Sequence, residues 1–291
     1  MPVIEHNGLQ LDHITAGEQG PPVMLLHSSV SGNRQWRKLI ALLSSRYRVI
    51  APNLRGYGAT TPWPLAARGA KQTLLDAAEV VTALCEALQL QEEPLRLVGH
   101  SFGGALALHC AHALGARVSH LVLYEPMLPG LLAAHGRTEA AAETAALHAD
   151  VHRLSDGGEW HVLGQRFIDY FNGDGAWQAS PPERQQAIAE ALAPNVHEWD
   201  AAMAPVHANS FAPISARTLL MRGRCTRRAL SEMVDVLHRR FMHWRRIDLA
   251  GCGHMAPLTH ADQVNPHIME FLMEEGAGVE VRAERADSVP F

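Results

Sequence analysis

Two rhythms of apolar and polar positions run along this chain. Short apolar-rich runs at 23–26, 47–51, 95–98, 118–124 and 217–221 have the length of strands buried in a sheet, and 244–249 is read as a further strand. Between them the apolar spacing lengthens to three or four residues. Trp36, Leu39, Ile40, Leu42 and Leu43 mark one helix. Leu74, Leu75, Ala78, Val81, Leu84, Cys85 and Leu88 mark another over 73–90, and further helices are expected after residue 101 to about 114, at 229–240 and at 263–274. At the N-terminal end, Asn7-Gly8 separates two short strands within 3–14, a two-residue hairpin signal. Strands that alternate with helices predict an α/β architecture: a mostly parallel central sheet with helices on both faces.

The rhythm breaks between residues 127 and 213, where helix-like, alanine-rich stretches carry Trp160, Phe167, Tyr170, Phe171, Trp177 and Trp199 but no convincing strand. This segment reads as a helical cap inserted over one end of the sheet, so that the core comprises 1–126 and 214–275. The tail, 276–291, is polar, lacks helical periodicity and is expected to be loosely held or docked on a neighbour. The six aromatic residues either line a pocket under the cap or pack its helices together; their helical spacing favours packing.

Composition narrows the classes. The chain has 291 residues, 47% hydrophobic and 19% charged, the balance of a soluble globular protein. A net charge of -5 gives no global basic field for nucleic acid. No apolar run is long enough for a membrane span, and the opening residues show no export signal, so a cytoplasmic setting is expected. Four cysteines, Cys85, Cys110, Cys225 and Cys252, lack paired spacing; Cys225 and Cys252 are expected to be buried free thiols, with a redox pair between them as the alternative. Of the eighteen histidines, His109 with His112 and His148 with His152 have helical spacing. No third metal ligand is evident beside either pair, so no metal is assigned.

The chemistry concentrates at 97–104, LVGHSFGG, where Gly99, Ser101 and Gly103 form GxSxG between an apolar run and a helix. A serine on so sharp a turn has strained backbone angles, and side chains at the flanking positions would collide; glycine removes the collision. The helix beginning after Ser101 directs free N–H groups at any oxyanion formed there. Ser101 is therefore the expected nucleophile. A serine also needs a base, and His254, in the glycine-rich GCGHMAPL loop, follows a parallel strand and falls on the same sheet edge.

Together GHSFGG, LLHSS, NLRGYG and GCGHMAPL resemble the α/β-hydrolase fold with a helical cap, over about 3–272. The resemblance implies an oxyanion hole from the backbone N–H groups of Phe102 and of a residue in the early loop, here Ser29. It also implies an acid between nucleophile and histidine in chain order. The sequence departs from that pattern twice. His27-Ser28 replaces the usual histidine-glycine, and the turn where the acid usually lies reads Gly223-Arg224-Cys225-Thr226. Glu125, which ends the strand after the nucleophile helix, stands on the same edge in the right order and is the expected acid, as in certain haloalkane dehalogenases.

These residues predict a cofactor-independent serine hydrolase that cleaves a carboxylic ester or lactone of a small-molecule substrate through an acyl-enzyme. A carbon–carbon bond hydrolase and a cofactor-free perhydrolase or haloperoxidase are the enzymatic alternatives on the same fold. A ligand-binding protein without turnover is the alternative of another class. Serine in place of aspartate argues against the family's dehalogenase and epoxide-hydrolase branches. His27 and His100 are expected to hold the loops by hydrogen bonds. Arg222, Arg224, Arg227 and Arg228 make the 222–228 loop basic, which would suit a carboxylate-bearing substrate; the spacing leaves oligomeric state open.

Overall fold

A computed structural model describes residues 3–64 and 71–274; the polar tail, 276–291, lies outside the described residues. The strands β1 (Val3–His6), β2 (Leu9–Ala16), β3 (Pro22–Leu26), β4 (Arg48–Pro52), β5 (Leu95–His100), β6 (Val118–Tyr124), β7 (Arg217–Gly223) and β8 (Arg245–Leu249) form one sheet in the order β1-β2-β4-β3-β5-β6-β7-β8. β1 and β2 are antiparallel, as are β2 and β4; all the remaining neighbours are parallel. The hairpin expected at Asn7-Gly8 forms with both residues at positive φ, 49° and 77°, which the right-handed twist of a two-residue loop requires.

The pleat sorts the apolar runs onto two faces. On β3, Met24 and Leu26 join one core cluster while Val23 and Leu25 join the other; on β6, Leu121 and Leu123 oppose Val122 and Tyr124. The first cluster packs against α2 (Leu74–Ala87), α3 (Phe102–Leu114) and α9 (Arg228–Arg240). The second packs against α1 (Arg37–Leu43) and α11 (Ala261–Met273), which is preceded by the short α10 (Ala256–Thr259). Strands buried on both faces explain why their sequences run apolar without alternating. The α1 region begins as a 3-10 turn at Asn33–Trp36, and α2 is opened by a capping box in which the Thr73 N–H donates to Asp76 Oδ2 at 2.7 Å.

Between β6 and β7 lie α4 (Gly130–Ala134), α5 (Thr138–Asp156), α6 (Trp160–Asn172), α7 (Pro182–Glu190) and α8 (Ala193–Ala202). They carry a third apolar cluster, which includes Leu147, Val151, Leu163, Phe167, Trp177 and Trp199 and is shared with Leu230 and Met233 of α9. The inserted helices are thereby fastened to the sheet layer through α9. Because β6 is central and closed on both faces, Leu121→Ala is expected to lower unfolding free energy by about 2–5 kcal/mol, whereas Leu75→Ala, at a site 64% exposed, stays within about 0.5 kcal/mol; urea unfolding measures both.

Candidate active site

The parallel register brings the ends of five strands to one edge. His100 pairs with Tyr124, Tyr124 with Met221 and Gly223 with Leu249, so the loops holding Ser101, Glu125, Thr226 and His254 emerge side by side, with Ser29 just beyond β3. Ser101 is the residue before α3, at φ 56° and ψ -120°, a conformation strained for any side chain and held here by the flanking turn. A Cβ on Gly99 would stand 2.3 Å from the Gly103 carbonyl oxygen, and one on Gly103 would stand 2.4 Å from the carbonyl oxygens of Leu26 and His27. Only glycine lets the strand, the turn and the neighbouring β3 loop approach this closely.

Ser101, His254 and Glu125 come together, buried, at 4%, 3% and 0% exposure. The Ser101 hydroxyl donates to His254 Nε2 at 2.9 Å, and His254 Nδ1–H donates to Glu125 Oε2 at 2.7 Å. A carboxylate only accepts, so this contact puts the imidazole proton on Nδ1 and leaves Nε2 free to take the serine proton. Glu125 also has a positive φ, 42°, and its Oε1 accepts from the Gly223 N–H at 2.8 Å. Thr226, in the turn where the resembling family usually carries its acid, donates its hydroxyl to Glu125 Oε2 at 2.8 Å.

Two further histidines hold the frame. His100 Nε2–H donates to the His254 carbonyl, and the Tyr124 hydroxyl donates to the Gly253 carbonyl, each at 2.8 Å, so the loop carrying His254 is pinned from β5 and β6. Burial, then the neighbouring His254, drives the His100 pKa well below the usual imidazole value. His27 accepts the Leu54 N–H at Nε2 and donates from Nδ1 to the Ser28 carbonyl, a pairing open only to the neutral ring; burial lowers its pKa to about 4.

Ser29 and Phe102 line the cavity at Ser101. The Phe102 N–H lies in the first turn of α3, where a helix offers no internal acceptor. In the early loop the Ser28 N–H is occupied by Gln35 Oε1 at 3.0 Å, and Val30 is at positive φ, 63°, with its N–H donated to the Tyr57 hydroxyl. The replacement of glycine by Ser28 is thus accommodated by a bond to Gln35.

Phe167, Phe171, Asn195, Glu198 and Trp199 close this cavity from the inserted helices, leaving about 10 Å³. Phe171 lies with its ring 4.9 Å from that of His254, and on its far side a groove of about 850 Å³ is lined by Arg184, Thr226, Arg227 and His254. The aromatic residues therefore divide: Phe167, Phe171 and Trp199 face the cavity as well as packing the helices, while Trp177 packs against Gly164. Of the basic loop, Arg222 is paired with Asp235 and Asp248, Arg227 with Asp174, and Arg228 with Glu139 and Glu232. Cys225 is exposed rather than buried, Cys252 is buried, and both are free thiols.

The sequence reading missed Glu198. It is 1% exposed, its Oε2 accepts from the Tyr57 hydroxyl at 3.0 Å and from Asn195 at 3.2 Å, and burial raises its pKa to about 7 against the pull of Ser29, Asn195 and Tyr57. Nothing in its spacing separates it from a solvated helix acid; only the packing of α8 against the NLRGYG turn does.

The chain matches the model of the alpha/beta hydrolase family over residues 23–267, and it belongs to that family. It is 31% identical over 128 residues to a soluble epoxide hydrolase of Corynebacterium sp., a match covering 44% of this chain and 42% of that protein. It is 38% identical over 112 residues to lipase LipV of Mycobacterium tuberculosis, covering 38% and 39%. These matches span about two fifths of the curated relatives' length. Among solved structures, the enol-lactonase from Burkholderia xenovorans superposes with a TM-score of 0.71 at 18% identity, over 94% of this chain and 100% of that one. The architecture expected from the sequence is the one observed, and the two curated relatives named above are both hydrolases by name. Among the described residues no helix is long and apolar enough to cross a membrane.

Glu198 makes stability depend on pH with a definite sign. Its folded pKa, about 7, exceeds the ordinary 4.5, so the folded chain keeps a proton that the unfolded chain loses between those values, and stability falls as pH rises through that window. Glu198→Gln removes this term. Its stability relative to wild type is expected to rise by up to about 3 kcal/mol between pH 4.5 and pH 8, read from urea unfolding at several pH values.

Proposed function

We propose that the protein is a serine hydrolase of small carboxylic esters or lactones, acting through an acyl-enzyme on Ser101. The observation that carries this reading is the buried hydrogen-bond chain Ser101–His254–Glu125. His254 takes the serine proton as Oγ attacks the carbonyl carbon, Glu125 stabilises the imidazolium, and the Ser29 and Phe102 N–H groups receive the oxyanion. His254 then returns the proton to the departing alkoxide, which in a lactone stays tethered to the acyl group. A water, activated by the same imidazole, releases the acid and restores Ser101. Every proton in this cycle moves between groups of the chain, substrate and water, so the reading requires no cofactor.

Serine at the elbow also separates this chain's chemistry from epoxide opening. Attack by a serine oxygen on an epoxide carbon would leave an ether, which the same base and water do not cleave, whereas an acyl-serine ester is readily hydrolysed. The similarity to an enol-lactonase and to a lipase supports acyl transfer. Phe171 stands as the wall between the narrow cavity at Ser101 and the larger groove, so it limits the acyl chain that Ser101 can reach. A carboxylate on the substrate would meet Arg184 along that groove, where Arg227 is already paired with Asp174.

Hydrolysis of p-nitrophenyl esters of graded chain length tests the proposal. Ser101→Ala is expected to lower kcat/KM by about 10⁴-fold or more and to abolish labelling by a fluorophosphonate. Glu125→Gln is expected to lower kcat by about 10²–10⁴-fold, because an amide facing Nδ1 destabilises the working tautomer. Near-wild-type activity in the Glu125→Gln protein would rule out Glu125 as the orienting acid, and a wild type inert to esters yet labelled at Ser101 would direct the search to carbon–carbon substrates. Phe171→Ala should shift the preference from short towards long acyl chains.

A further inference from the structure

We propose that His148, His152 and Asp200 form a binding site for a divalent transition-metal ion of the zinc type, clamping α5 to α8 within the inserted helices. The site is separate from the hydrolytic chemistry and does not rest on it.

His148 and His152 are one turn apart on α5, so their rings share a face, and α8 lays Asp200 across that face. His148 Nε2 and His152 Nε2 each lie 2.9 Å from the same oxygen, Asp200 Oδ1, and 3.1 Å from one another. Donor atoms bound at about 2.0–2.1 Å to one ion stand about 3 Å apart, which is the triangle found here. Hydrogen bonding accounts for the arrangement less well. If both Nε2 atoms carry hydrogen, two N–H dipoles crowd head to head over one acceptor; if one does not, it has no hydrogen to give Asp200. An ion above the triangle lets all three lone pairs point at one centre.

Accessibility and chemistry agree. The side chains of His148 and Asp200 are each 16% exposed and that of His152 39%, so the donors are held by packing while an ion can reach them and water can complete its coordination. Two imidazoles with one carboxylate suit zinc, cobalt or nickel and not magnesium or calcium, which take oxygen donors. Among the described residues this is the one cluster of three such donors. The His148 ring is stacked 6.2 Å from that of Trp199, and Trp199 and Glu198, the residues before Asp200, line the cavity at Ser101. A bound ion would therefore stiffen one wall of that cavity.

The test uses the full chain without a histidine tag, stripped by chelator. Zn²⁺ is titrated by calorimetry, Co²⁺ by its visible absorption, and thermal unfolding is followed with and without ion. One ion per chain, a thermal midpoint that rises with free Zn²⁺ and a Co²⁺ spectrum of nitrogen and oxygen ligation are expected. His152→Ala and Asp200→Asn should each weaken binding by at least about 100-fold, with circular dichroism showing the stripped variants folded, while His109→Ala leaves affinity unchanged. Should either variant fail to fold, His152→Gln and His148→Gln serve instead. No uptake by the wild type at about 100 μM free Zn²⁺, or uptake that survives loss of any of the three residues, would overturn the proposal.

Discussion

A carboxylate with no contact to water sets the terms for this active edge. Glu125 is fully buried, and an ionised carboxylate in such a place persists only if the chain itself supplies donors. It draws them from the end of β7 through the Gly223 N–H, from the following turn through Thr226, and from the loop after β8 through His254. The turn after β7 and the loop after β8, both far from residue 125 in sequence, are thus tied to one side chain. The β7 turn and the β8 loop are also pressed together: a Cβ on Gly223 would stand 2.3 Å from the Cys252 carbonyl oxygen, and the Cys225 N–H donates to that same oxygen. His254 has little freedom left, and its open nitrogen points at Ser101.

The inserted helices convert that edge into a closed chamber. α6 contributes Phe167 and Phe171, and α8 contributes Asn195, Glu198 and Trp199, so the space above Ser101 is largely apolar with one acid whose charge is strongly disfavoured by burial. A lining of that kind has a low local dielectric, in which a hydrogen bond to a charged group is stronger than in bulk water. The same helix α8 carries Asp200 on another side, against His148 and His152. One short helix therefore joins the wall of the chamber to the clustered ring nitrogens of α5.

Much of this was legible in the chain. The apolar runs marked β3 to β7 to within two residues because strands buried on both faces admit little else, whereas the mixed run at 244–249 became the edge strand β8, of which only Leu249 is buried. The glycines of GHSFGG marked the elbow because no other residue fits between β3 and α3. Ser101, His254 and Glu125 were legible as candidates because parallel strands end on one edge whatever the loops contain. What lay beyond reach was lateral: that Thr226 donates to Glu125, that Cys225 faces solvent, and that three of the four arginines in the basic loop are matched by acids on other elements.

The sequence alone determined the layering of the sheet, the order of its strands along the chain and the residue types at the active edge, since periodicity and turn chemistry are local properties. Only the tertiary structure decided which side chains touch. Glu198 became a buried acid, and Asp200 became the third donor beside His148 and His152, because α8 packs against the turn at Tyr57 on one side and against α5 on the other. Contacts between residues 48 to 141 positions apart carry no periodic signature in the chain, so neither residue could be told from an ordinary surface acid before α8 was placed.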